Sequence, residues 1–396
     1  GPKPILHLYE GTSALGDKLR AGLLEVESVS ADSLDPRMLT LSGLGRYSAV
    51  ILENVAAEHL GFGGMETLRD WVTHTGGGLM ITGGRNSYAV GGYFKSPLDE
   101  LFPVSMELRK EQREAKVAIV VVLDRSGSMT MPAGTSGKTK MELANIATAQ
   151  VLDLLTPGYD EFACIAVDST PHTVLPLSAV SDAKPVRDKI LSIESTGGGI
   201  FVYEGLVAGA RELQKANAGT RHIVLFSDAA DSEEPGDYKK LLDALRKAGV
   251  TCSVIGLGTK SDCDAALLED IAKLGGGRCF FTDRAEELPR LFAQDTFVVA
   301  RNSFIDEPIA VSPTAGLTML TEQQFDSVPN LGGYNLCYLR PRATMAVVAR
   351  DEYKSPVLAF WQSGLGRVLS YTGEVDGKFT GPIGNWDRIG DFLTSQ

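Results

Sequence analysis

The chain has 396 residues, 43% hydrophobic and 22% charged, a balance that supports a sizeable buried core and excludes a disordered or fibrous polypeptide. Its formal net charge of -12, without any Lys/Arg-rich cluster, excludes nucleic acid as the main partner, because phosphate binding needs a basic stripe. Cations and basic surfaces are the better electrostatic match. The cysteines Cys164, Cys252, Cys263, Cys279 and Cys337 are odd in number, scattered and without a CxxC pair, so they form neither a disulfide framework nor a zinc site.

Three apolar strand candidates open the chain: "KPILHLYE" (3–10), "YSAVILEN" (47–54) and "GGLMITGG" (77–84). The helical patterns "ALGDKLRAGL" and "METLRDWVTH" separate them, an alternation that indicates parallel βαβ units. A fuller series runs through "KVAIVVVLD" (116–124), "FACIAVDS" (162–169), "HTVLPLS" (172–178), "HIVLFSD" (222–228), "TCSVIGLG" (251–258) and "RCFFTD" (278–283). Helical periodicity fills most of the gaps, and the near-continuous apolar strands call for helices on both sheet faces. The tail offers "TMAVVAR" (344–350), then "SPVLAFW" and "RVLSYTG" joined by "QSGLG" as an antiparallel hairpin, and a final helix around Trp386 to Leu393. So few elements cannot close a core alone. The expected architecture is therefore a doubly wound, mainly parallel α/β domain at 113–302, inserted into a second, discontinuous α/β domain made of 1–112 and 303–396. No apolar run is long enough to span a bilayer, and the start reads as that of a soluble segment of a longer protein rather than as a signal peptide.

Asp124 stands at the carboxyl end of a parallel strand, where open α/β sheets bind ligands. In "VVLDRSGSM" (121–129) the chain leaves the strand extended, so Asp124, Ser126 and Ser128 present oxygens to one side. Such donors suit a hard divalent cation, Mg²⁺ first, with Mn²⁺ or Ca²⁺ as alternatives. A second strand ends in Asp228, followed by Asp231, Glu233 and Glu234. Two carboxylates at one sheet edge repel unless a cation lies between them.

D-x-S-x-S after an apolar strand, with a strand-end aspartate on another strand, resembles the von Willebrand factor type A domain and its metal-ion-dependent adhesion site. The resemblance implies a protein-interaction module in which Ser126 and Ser128 coordinate the metal, Asp124 and Asp228 bind it directly or through water, and a partner's Asp or Glu completes the shell. Two positions depart from the family pattern. "STGGGIFVYEGL" (195–206) places Ile200 where a ligating threonine is usual, leaving Thr196 as the substitute ligand, and Ala229 replaces the glycine that commonly follows the last aspartate.

The outer stretches "YSAVILEN", "GGGLMITGGRNSYAVGGYF" and "PVLAFWQSGLGRVLSYTGEVDGKF" resemble the class I glutamine amidotransferase-like domain of large bacterial membrane proteins, which implies a membrane-tethered parent protein. That chemistry needs a cysteine nucleophile on a strand-to-helix elbow and a histidine base. No cysteine precedes Cys164, the elbow carries Gly83 and Gly84, and no histidine follows His222, so the outer domain reads as catalytically inactive. "SGKT" (136–139) lacks the first glycine of a phosphate-binding loop, which is Pro132, and GGG at 197–199 lacks a lysine partner. Two rival readings stay open: a hydrolase using the metal or Ser87, and a metal-free scaffold.

Overall fold

The computed structural model describes residues 3–107, 116–134, 136–229, 236–261, 264–300 and 303–395. The acidic run Asp231 to Glu234, Cys263 and the expected boundary at 112/113 lie outside them. The chain divides into two compact units, Gly1–Leu108 with Asn302–Gln396, and Arg109–Arg301.

In the outer unit, β1 (Ile5–Tyr9), β2 (Val26–Ser30), β3 (Ala49–Glu53) and β4 (Gly78–Thr82) come from the first segment. The central unit supplies β5 (Val117–Asp124), β6 (Glu161–Val167), β7 (Pro171–Ala179), β8 (Thr220–Ser227), β9 (Val250–Leu257) and β10 (Gly276–Thr282). The last segment returns β11 (Val311–Pro313), β12 (Thr344–Ala349), β13 (Pro356–Ser363) and β14 (Gly366–Tyr371) to the outer unit.

The outer sheet runs β11-β12-β13-β14-β4-β3-β1-β2. It is parallel from β14 to β2 and antiparallel from β11 to β14. β14 joins β4 in the register Val368↔Leu79 to Tyr371↔Thr82, so the tail strands complete the N-terminal sheet. The hairpin of β13 and β14 forms as expected, with Phe360 opposite Leu369. β2 was not legible in advance, because VESVS is half-buried at every position and carries no apolar alternation.

The central sheet runs β10-β9-β8-β5-β6-β7 and is parallel except for β7, which turns back antiparallel on β6. All eight residues of β5 are buried, and alternate side chains feed two separate cores. Val117, Ile119, Val121 and Leu123 face α3 (Lys140–Val151) and α8 (Leu288–Ala300), packing with Leu143, Ala147, Leu288 and Phe292. Ala118, Val120 and Val122 join the other core with Leu206 of α5 (Val202–Leu213), Leu242 of α6 (Tyr238–Lys247) and Ile271 of α7 (Ala265–Leu274). A strand buried on both faces is what a near-continuous aliphatic run encodes. The edge strand β7 is mostly half-buried or exposed, consistent with its mixed sequence.

Candidate metal centre

Three neighbouring strands of the central sheet deliver an aspartate to the same edge. Asp124 ends β5, Asp168 follows β6, and Asp228 follows β8, where parallel strands share a carboxyl end.

Asp124 and Asp228 are linked through the two predicted serines. Ser126 donates its backbone N–H (2.9 Å) and its hydroxyl (2.6 Å) to Asp124 Oδ1. Its Oγ lies 3.2 Å from that of Ser128, and Ser128 donates to Asp228 Oδ1 at 2.9 Å. Asp124, Ser126, Ser128 and Asp228 thus form one continuous run of oxygen atoms. Ser227 donates to the other oxygen of Asp124 and accepts the N–H of Ala229 at 2.8 Å. Burial pushes the Asp124 carboxyl up to about 6, against the hydrogen bonds from Ser126 and Ser227, with Asp228 adding to the rise.

Thr196 goes elsewhere. Its hydroxyl donates to Asp168 Oδ2 at 2.9 Å, beside Arg125, whose Nη2 lies 2.7 Å from the same oxygen. His172 approaches Asp168 Oδ1 at 3.3 Å, and the N–H of Thr170 reaches that oxygen at 3.0 Å. Burial acts to raise the Asp168 carboxyl, but these hydrogen bonds outweigh it and hold the group well below the usual carboxylate range.

The glycine run explains this routing. Gly197 and Gly198 take φ of 82° and 81°, left-handed conformations that favour glycine, and the loop folds over the exit of β5. Gly198 O accepts the N–H of Gly127 at 2.9 Å, while Ser195 Oγ donates to Ser126 O at 2.6 Å. Beyond the loop, Ile200 is fully buried in the second core with Val167, Val202 and Leu206, where it offers no donor to the site. Ala229 holds φ of 51° where a glycine would be unstrained.

Sequence reasoning missed Lys140. It is the first residue of α3, whose start is fixed by a capping box: Thr139 accepts from the N–H of Glu142 at 3.1 Å, and Glu142 accepts from the N–H of Thr139 at 2.8 Å. Its ammonium reaches Asp228 Oδ2 at 2.5 Å, with both side chains buried. The available signal was a lysine at a helix N-terminus, where the helix dipole disfavours positive charge.

The four oxygen-bearing side chains fit a small hard cation in kind and proximity. Among the described residues, no three His, Cys, Asp or Glu side chains gather as a metal cluster, so a cation here would depend on the two serine hydroxyls. The central unit is therefore an α/β module with oxygen donors collected at its strand ends. Residues 118–294 match the family model of the von Willebrand factor type A domain, and domains of this type are generally protein-interaction modules. Similar solved structures include BatB from Bacteroides thetaiotaomicron, 20% identical with 46% of this chain and 98% of that one covered, TM-score 0.40. A von Willebrand factor type A protein from Catenulispora acidiphila is 17% identical, covering 68% of this chain and 70% of its own, TM-score 0.38. The cytoplasmic protein STM1381 from Salmonella typhimurium LT2 is 10% identical, covering 99% and 97%, TM-score 0.44. No curated protein matches the chain.

In the outer unit, Cys337 is fully buried, and burial pushes its thiol well above its ordinary range. Among the described residues the buried Ser87 hydroxyl has no hydrogen-bond partner. His7 pairs with Glu53 at 2.6 Å and Ser28 at 3.0 Å. Among the described residues no helix is long and apolar enough to cross a membrane.

Proposed function

We propose that this chain is a cation-assisted protein-interaction module, with Asp124, Ser126, Ser128 and Asp228 forming its contact point. The observation that carries the reading is the continuous run of oxygens joining Asp124 to Asp228 across the ends of two strands. Thr196 is left out of the ligand set, because its hydroxyl serves Asp168. A bound Mg²⁺ supplies an open coordination position that a partner's Asp or Glu can fill. The side chains of this protein do the rest: the two carboxylates provide the charge, the serines set its position, and the loop at 195–198 fixes the exit of β5.

The outer unit serves this reading as an amidotransferase-like scaffold without catalysis. A buried thiol of raised pKa is a poor nucleophile, and among the described residues no group hydrogen-bonds the Ser87 hydroxyl to activate it. Glutamine hydrolysis should be absent, and its appearance in wild type with loss on Ser87→Ala or Cys337→Ala would refute the inactive reading.

The metal reading is tested by thermal unfolding of the full chain with Mg²⁺, Mn²⁺ or chelator. A cation at a hundred times its Kd adds about 2.7 kcal/mol, roughly 5–10 °C for a unit of this size. Asp124→Ala should melt at one temperature in all three conditions. An Asp- or Glu-containing peptide should bind wild type with Mg²⁺ and lose binding with chelator. Identical wild-type melting in every condition sinks the proposal.

A further inference from the structure

We propose that Lys140 is the resident counter-ion of this site, holding the charge that a divalent cation would otherwise supply, and that cation binding requires its ammonium to leave Asp228. The inference rests on the reading of Asp124, Ser126, Ser128 and Asp228 as a cation site.

Three observations point to the role. Lys140 Nζ lies 2.5 Å from Asp228 Oδ2, and the side chains retain 8% and 0% exposure, so the pair is shielded from solvent. The other oxygen of Asp228 receives Ser128, so the ammonium sits directly beside the oxygen run. Lys140 is also held there against a local preference. It occupies the first position of α3, where exposed N–H groups favour anions, and the Thr139/Glu142 capping box fixes that start. A lysine in this position is stabilised by what it faces, the buried carboxylate of Asp228, whose neighbour Asp124 repels it in the absence of a cation.

An ammonium and a divalent ion cannot both contact the same buried carboxylate closely without strong mutual repulsion. Two consequences follow. The folded site tolerates the absence of metal, and its intrinsic cation affinity is masked by the cost of displacing Lys140. Ile200 acts in the same direction, since it contributes no oxygen to compensate.

The test uses the full chain, stripped with chelator, and Mn²⁺ as the probe, read by titration calorimetry, Mn²⁺ electron paramagnetic resonance and thermal unfolding. Lys140→Met should bind Mn²⁺ at least about tenfold more tightly than wild type. In chelator it should melt below wild type, and Mn²⁺ should restore the loss. Lys140→Arg keeps the charge and should behave as wild type. Lys140→Gln, which retains a donor for Asp228 without the charge, guards against a misfolded methionine variant and should also bind more tightly. Equal Mn²⁺ affinity in wild type, Lys140→Met and Lys140→Gln, abolished by Asp124→Ala, overturns the counter-ion role and leaves the cation site standing. Absence of Mn²⁺ binding in every variant overturns both.

Discussion

Ile200 shows how one residue can be read in two ways. In the type A pattern its position belongs to a ligating threonine, which invites the idea that Ile200→Thr would strengthen a metal site. In the folded chain the isoleucine is fully buried among Val167, Val202 and Leu206. Replacing it removes apolar volume and buries a hydroxyl, which together cost about 2–4 kcal/mol. Ile200→Thr should therefore lower the urea midpoint of the central unit without increasing Mn²⁺ affinity, and unchanged stability with tighter Mn²⁺ binding would show that the side chain turns toward the site. Asp124, Ser126, Ser128 and Asp228 were legible as a group because strand exit and alternation are local properties of sequence. Lys140 was not, because its meaning depends on where the start of α3 packs. Asp168 lay between these cases: "FACIAVDS" ends like "VVVLD", but nothing local announced that Arg125 and Thr196 would converge on it.

At the level of elements, the ends of strands and turns carry the ionisable groups whose environments differ most. Asp168, just past β6, has its carboxyl held below the ordinary range, so its folded pKa lies under its unfolded one. Its stabilising contribution is present above about pH 4 and is lost as pH falls through the folded value. Asp99, at the start of a short helical turn in the outer unit, shows the opposite sign. Burial pushes its carboxyl up to about 6, against the N–H of Lys95 and the Arg340 guanidinium. The folded state then binds more protons between the two pKa values, so stability falls as pH rises from about 4 to about 6, by roughly 3 kcal/mol for a two-unit rise. Urea unfolding should show wild type gaining on Asp99→Asn between pH 7.5 and pH 4. Its advantage over Asp168→Asn should hold at pH 7.5 and shrink only below about pH 4. A pH-independent difference for Asp99→Asn would mean that the folded carboxyl has an ordinary pKa. The same elements explain what the sequence disclosed: β5 and β8 were clear because they are apolar on both faces, whereas β2 has no periodicity to read and the direction of β7 depends on a turn at 168–170.

For the whole molecule, the outer unit draws on both ends of the chain, and the tail by itself has too few elements to bury a core. The sheet resolves this by pairing β14 with β4, which makes segments far apart in sequence mutually dependent. Residues 303–396 expressed alone should therefore remain without dispersed amide resonances, because β14 would expose its whole β4-facing edge to water. The reverse experiment is more demanding. The chain is anchored on both sides of the insertion by short ladders within the outer unit, Val104–Ser105 against Tyr338–Leu339 and Phe304–Ile305 against Tyr334–Asn335. Those ladders do not need the central strands. Joining Glu107 to Ser303 through a Gly/Ser linker of about 20 residues, which spans some 25 Å on average, should leave the outer unit folded, because loop-closure entropy grows only slowly with length. Near-ultraviolet circular dichroism should retain the tertiary signals of the outer aromatic residues, including Trp361, whose indole N–H donates to Leu101 O at 2.8 Å. A cooperative urea transition should accompany them. Loss of both, with the isolated residues 116–300 still folding cooperatively, would mean that the outer unit depends on the inserted one for its stability.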